Sequence, residues 1–297
     1  MINNRISRRD ALRTGAGLLA AGVLSPSLFG RTGWAAETKH IPISVQLYSI
    51  RGDCAQDFDK ALEAVAKMGF EGVEFAGYHK YGGNAEGLKK KLDELGLKVA
   101  GTHIGTGSFA EGNIQRTIDF HQTLGCKFLI VPGDGAFCDP EKSKVLAETF
   151  NKAAETLKPH NMFCGYHNHT REMTVAPGTD KTWWDLFAQR TTNDVVLQQD
   201  CGWTAHADRD PVAFIRKYPG RTRITHFKPT AKHGDAGKKA YIGQDSVDWA
   251  AVITACREVG GTEWITIEQE SYPDGKSPME CTEISLKGLK QILAQMG

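Results

Sequence analysis

The feature that most constrains the fold of this chain is its rhythm. From residue 43 onward, eight short apolar runs alternate with longer segments of helical pattern. The runs are ISVQLYS (43–49), GVEFA (72–76), KVAGTH (98–103), KFLIVPG (127–133), MFCGYH (162–167), VVLQQD (195–200), RITHFK (223–228) and WITIEQ (264–269). Their starts lie roughly 25–40 residues apart, the length of one strand and one helix with their loops.

The intervening segments carry helix signatures. FDKALEAVAKMG puts Phe58, Leu62, Val65 and Met68 on one face and ends at Gly69. NIQRTIDFHQTLG aligns Ile114, Ile118 and Leu124 and stops at Gly125, and SVDWAAVITACREVG begins at Ser246 as N-cap and ends at Gly260. Several of these helices run from a glycine almost directly into the next strand, the short connection of parallel α/β folds. Eight such units fit a single (β/α)8 TIM barrel, which takes about 250 residues. A doubly wound sheet would carry a glycine-rich phosphate loop after its first strand, and QLYSIRGD has none; GTHIGTG (101–107) lacks the G-x-G-x-x-G spacing.

The first 36 residues stand apart. RISRRDALRTGAGLLAAGVL (5–24) places Arg8 and Arg9 before a modest apolar run, and a small-residue zone, GWAAE, follows at 33–37. This is the order of a cleavable leader, and SRRDAL resembles the twin-arginine export signal. The expected organisation is therefore a twin-arginine signal peptide over 1–36 and a barrel over 37–297, exported or periplasmic. Export in the folded state agrees with seven cysteines that form no C-x-x-C pair.

Net charge is +1 for the whole chain. Removing five Arg and one Asp with the leader leaves 31 basic and 34 acidic residues, about −3. No electrostatic case exists for nucleic acid or for an anionic membrane, and a small polar substrate suits this balance better.

Barrel enzymes carry their chemistry at the C-terminal tips of the strands. Those tips hold Glu74, His103, His167, Asp200, His226 with Lys228, and Glu268 with Glu270. Side chains at i and i+2 share a face. Ile224, His226 and Lys228 therefore point together, as do Val196, Gln198 and Asp200, and Thr266, Glu268 and Glu270. Neighbouring strands stand about 4.8 Å apart, so the tips of strands five to eight can surround one ion. His167, Asp200, His226 and Glu268 are a donor set suited to Mn2+, Co2+ or Zn2+.

Five stretches extend this reading. MGFEGVEFAG, GYHNHTREM, LQQDCGW, ITHFKP and ITIEQE, in this order, resemble the sugar phosphate isomerase/epimerase family of xylose-isomerase-like, metal-dependent barrels, over residues 42–295. The resemblance implies one divalent ion held by a Glu from strand five, an Asp from strand six, a His from strand seven and a Glu from strand eight. Asp200, His226 and Glu268 match the last three. At strand five the chain departs from the pattern with His167, and His169, one parity step further out, is assigned to the substrate; a slip in register exchanges the two.

The departure leaves Glu268 as the evident metal-bound acid–base group. Lys228, His103, Glu74 and Glu172 are the further bases available, with Lys228 the best placed. Trp203, Tyr48 and Arg171 join His169 as substrate contacts, whereas Trp183 and Trp184 open a helix and belong to the packing. His233, in the glycine- and lysine-rich loop 231–243, is a candidate lid residue. The activity so implied is abstraction of a proton beside a sugar carbonyl through an enediolate, giving isomerisation or epimerisation. Elimination or hydration on a 3-keto-glycoside shares that intermediate and is the alternative, as are an endonuclease-IV-like phosphodiesterase and a non-catalytic carbohydrate-binding barrel. The expected partner is a small carbohydrate, with no membrane in the mature form; self-association is left open.

Overall fold

The computed structural model describes residues 40–297, so the expected leader over 1–36 lies outside the described residues. Eight strands form: β1 Ile43–Gln46, β2 Gly72–Phe75, β3 Lys98–His103, β4 Phe128–Val131, β5 Phe163–His167, β6 Val196–Gln198, β7 Ile224–Phe227 and β8 Trp264–Ile267. Ten helices accompany them: α1 Arg51–Gln56, α2 Phe58–Met68, α3 Ala85–Glu94, α4 Glu111–Leu124, α5 Lys142–Leu157, α6 Trp183–Arg190, α7 Cys201–His206, α8 Pro211–Lys217, α9 Trp249–Ala255 and α10 Pro278–Gln295. Every ladder is parallel, sequential strands pair, and β8 returns to β1. Between β6 and β7 the pairing is reduced to one bridge, Asp200 with His226. The nearly closed barrel is therefore completed through two of the expected ion ligands.

Alternation along the strands sorts the core. Outward residues such as Val45, Val73, Leu129, Phe227 and Ile267 pack under the helices. Inside, Ala100, Phe128, Ile130, Val196 and Ile224 form a small apolar plug, closed by Phe163 and Trp264. Above the plug the interior turns polar, beginning with Ser44 Oγ against Thr266 Oγ1 at 2.8 Å. Gly165 is required here: a Cβ on it would stand 2.6 Å from the Val196 carbonyl oxygen.

All eight expected strands are present, but most are shorter at their C-terminal ends, because the polar tips leave the ladder to form loops and caps. α2 buries Phe58, Leu62 and Val65 and ends at Gly69 with φ +88°, and α4 ends at Gly125 with φ +72°. α9 corrects the sequence reading. Its N-cap is Asp248, which accepts from the Ala251 N–H at 3.0 Å, while Ser246 instead ties the preceding loop to Asp235. Its chain passes through a π-helical turn at Cys256–Gly260, so the left-handed residue is Gly261, not Gly260. All seven cysteines are free, and six of them are buried. No helix among the described residues is long and apolar enough to cross a membrane.

Candidate metal centre

Each donor is set by local structure. At the end of β6 the chain turns to cap α7: Asp200 Oδ1 accepts the Trp203 N–H at 2.7 Å, and the Asp200 N–H donates to Asn168 Oδ1 at 2.9 Å. α7 sits so close to β7 that a Cβ on Gly202 would lie 2.1 Å from the Lys228 carbonyl oxygen. This wedge pins Asp200 beside β7. Its second oxygen, Oδ2, is buried and has no hydrogen-bond partner.

Three further donor atoms surround that oxygen. His167 Nε2 and His226 Nδ1 each lie 3.9 Å from Asp200 Oδ2, and Glu268 Oε2 lies 3.1 Å from His226 Nδ1. Within the four residues His167, Asp200, His226 and Glu268, the donor atoms all fall within 4.8 Å of one another. Atoms bound to one ion at about 2.0–2.2 Å cannot be further than about 4.4 Å apart, so only a small contraction is needed. A buried carboxylate oxygen with no protein partner costs free energy unless a cation or proton satisfies it. The residues thus fit a divalent ion, and two imidazoles with two carboxylates suit Mn2+, Co2+ or Zn2+. His103, His167 and His226 form a second, overlapping group within the same distance.

The electrostatics agree. Burial pushes the Asp200 carboxyl up to about 7, against the pull of Lys228. Burial alone would lower His226, but Glu74 and Glu268 outweigh it and hold the ring at about 10. Burial opposes ionisation of Glu268 and Glu74, yet Lys228 and His226 hold Glu268 well below the usual range, and His226 and His103 hold Glu74 below it. Burial drives His167 far down, helped by the charge of His226. The proton held on His226 supplies positive charge that these carboxylates demand, as a cation among them would.

Glu74 does not face the cavity. It is fully buried below the donors, bonded by Gln46 Nε2 at 3.0 Å, Gln198 Nε2 at 2.6 Å and His226 Nε2. Sequence reading offers it as a base; the structure places it beneath the donors rather than on the cavity wall. Lys228 is also withdrawn: its ammonium is held by Glu270 and by Glu268 at 3.4 Å, 4.7 Å from the centre of the Trp203 ring. It does not line the cavity, and it pairs with both carboxylates.

Above the donors opens a cavity of about 560 Å3, lined by Tyr48, His103, His167, His169, Glu268 and Glu270 among others. That volume suits a sugar-sized ligand. His169 stands on the wall; burial depresses its pKa to about 4, and neither ring nitrogen is hydrogen-bonded among the described residues. Glu172 accepts the His169 backbone N–H at 2.9 Å and is buried. Trp203 stands behind His169, ring centres 5.7 Å apart. Arg171, expected as a substrate contact, is exposed on the turn Arg171–Met173, away from the residues that line the cavity. His233 is exposed in its loop, and Trp183 and Trp184 are buried in α6. Gln46, Gln198 and Asn168 were not singled out by sequence reasoning, although the parity of Gln198 with Asp200 already pointed it inward; Glu270 was read as a strand tip without a role.

Known proteins resemble this one over most of its length. An inosose dehydratase from Clostridium beijerinckii is 23% identical over 271 residues, covering 79% of this chain and 89% of that protein. The crystal structure of a sugar phosphate isomerase/epimerase from Parabacteroides distasonis superposes with a TM-score of 0.69 at 24% identity, covering 86% of this chain and 96% of the other. The IolI protein, crystallised with a zinc atom, superposes with a TM-score of 0.65 at 12% identity over 86% of this chain and 99% of that one. The family model described as Xylose isomerase-like TIM barrel matches residues 62–292, and the chain belongs to that family.

Proposed function

We propose that this protein is a divalent-metal-dependent carbohydrate enzyme that removes a proton from the carbon beside a ketone and then expels an oxygen substituent from the next carbon. The unpartnered Asp200 Oδ2, converging with His167 Nε2, His226 Nδ1 and Glu268 Oε2 below an open polar cavity, is the observation that carries the metal dependence. His167, Asp200, His226 and Glu268 would hold the ion, which when bound supplies Lewis-acid polarisation of the ketone and an adjacent oxygen.

The remaining steps fall to the wall of the cavity. His169 carries a neutral imidazole with a free lone pair and takes the proton. Glu270, paired with Lys228, lines the cavity from β8, three strands round the ring from β5. It therefore meets the substrate from another side, where it accepts from the sugar hydroxyls, while the proton that His169 has taken passes to the departing oxygen, which leaves as water or alcohol. Tyr48, exposed at the cavity mouth, offers an apolar face to the sugar ring.

Elimination is favoured over proton return because strand five contributes a histidine, which leaves one carboxylate, Glu268, among the ligands of β5 and β8. The inosose dehydratase relative supports the same outcome. Isomerisation or epimerisation is the second reading, supported by the resemblance to a sugar phosphate isomerase/epimerase and by two wall groups on different sides, His169 and Glu270.

The manganese-loaded protein, incubated in D2O with 3-keto-glucosides, keto-cyclitols and free ketoses, should consume one of the first two with loss of water or aglycone, followed by proton NMR. Deuterium wash-in without loss would select the isomerase reading, and no metal-dependent exchange on any carbonyl substrate would overturn both. Export of the folded barrel by the twin-arginine leader is part of the proposal. Arg8→Lys with Arg9→Lys should leave the protein in the cytoplasmic fraction of an expressing bacterium.

A further inference from the structure

Beneath the four donors a set of hydrogen bonds can run in only one direction. It starts at a backbone N–H, whose role is fixed: Tyr48 N donates to Gln46 Oε1 at 3.1 Å. The other end of that amide, Gln46 Nε2, therefore donates, and it meets Glu74 Oε2 at 3.0 Å. Gln198 Nε2 donates to Glu74 Oε1 at 2.6 Å. An amide that gives its NH2 to a carboxylate has only its carbonyl oxygen left for other neighbours. Gln198 Oε1 lies 2.8 Å from His103 Nε2 and 3.2 Å from His167 Nδ1. An oxygen without hydrogen can only accept, so both of those ring nitrogens carry one. His226 Nε2 faces Glu74 Oε2 and carries a hydrogen for the same reason.

We propose that Gln198 and Glu74 are positioning residues: Gln198 fixes the hydrogen of His103 on Nε2 and that of His167 on Nδ1, leaving His167 Nε2 bare, while Glu74 holds a hydrogen on His226 Nε2 and so turns Nδ1, bonded to the Glu268 carboxylate at 3.1 Å, toward the other donors as the nitrogen that an ion would take. His167 Nε2 and His226 Nδ1 are the two nitrogens that face Asp200 Oδ2, at 3.9 Å each. The donors thus use opposite ring nitrogens, a choice made by the buried amide and carboxylate below. Partners of this kind, one bond behind a ligand, set ring orientation and basicity at metal sites. The consequence for an ion rests on the proposed function; the tautomers do not.

The test uses the full chain labelled with 15N-histidine, with resonances assigned from single histidine variants. In excess chelator at pH 8, 15N–1H correlation spectra should show His167 with its hydrogen on Nδ1 and His103 with its hydrogen on Nε2. A wild-type spectrum with the His167 hydrogen on Nε2 would overturn the proposal, whatever any variant does. Gln198→Leu should populate the Nε2–H form of His167 and weaken Cd2+ binding by about 10–100-fold; an unchanged tautomer would also count against it. On addition of 113Cd2+ to the wild type, scalar coupling should appear at His167 Nε2 and His226 Nδ1, and coupling through the opposite nitrogens would contradict the lock. If the chelated spectrum is as stated and no cadmium binds, the lock stands and the metal-dependent reading falls.

Discussion

Asp200 holds two conflicting roles in one side chain. Oδ1 caps α7, while Oδ2 is buried without a protein partner. Its folded-state pKa, about 7, lies above the ordinary value of 3.8. A raised pKa contributes stability that is fully present below the unfolded value and is lost as pH rises through the folded one. His226, raised to about 10, acts in the same direction at higher pH. Between pH 5 and 8 these two groups lower the stability of the chelated protein as pH rises, while His167 and His169, held below the ordinary value, raise it up to about pH 6.5, so the test is the difference between wild type and a variant without the Asp200 charge. Asp200→Asn keeps the cap and removes the charge. In thermal melts of the chelated protein its stability relative to wild type should rise from pH 5 to pH 8, and divalent-metal binding should weaken by about 100-fold. A difference between variant and wild type that stays constant over this range would contradict the assignment. His169 provides the complementary case. His169→Ala should cut turnover by about 100-fold or more, the usual worth of a general base, while metal affinity by calorimetry changes less than threefold. Loss of affinity in parallel would make His169 a ligand instead. His167 and His169 share strand parity, so sequence separated them only by their distance along the strand, which a slip in register would reverse; β5 ends at His167, and His169 lies two residues beyond it.

At the scale of elements, the strands were legible because period-two alternation and period-3.6 stripes are both forced by burial. Their ends were not. Residues 199–200 read as a continuation of β6, yet Asp200 leaves the ladder to cap α7, and cap geometry depends on where the next helix starts. α9 shows the same limit, since Ser246 and Asp248 are both good caps by residue type. The contact that chooses between them, Ser246 Oγ with Asp235, is tertiary. The close approach of α7 to β7 was equally invisible, because a glycine in CGW reads as a weak helix residue rather than as a wedge. Gly202→Ala should force α7 away from the Lys228 carbonyl and cost about 1–3 kcal/mol of stability in denaturant titration. The metal affinity should fall with it, since Asp200 is the residue before α7. A variant of wild-type stability would show that the approach of α7 to β7 is not tight.

At the scale of the whole molecule, the barrel divides its interior between an apolar plug and a polar upper layer. The plug gives the strands a rigid floor, and the polar layer concentrates charge where the β6–β7 pairing is weakest. The proposed ion ligands thus sit at the seam that completes the ring. The seam is reached from sequence only in part. The four donors were readable as polar tips on consecutive strands, but the network of Gln46, Gln198 and Glu74 that orients them was not, because buried amides have no spacing rule. The central claim is that four side chains hold one divalent ion, and crystals grown with manganese test it most directly. A single anomalous peak is expected within coordinating distance of His167 Nε2, Asp200 Oδ2, His226 Nδ1 and Glu268 Oε2. Manganese found only elsewhere, with those atoms bonded to one another or to water, would contradict the account.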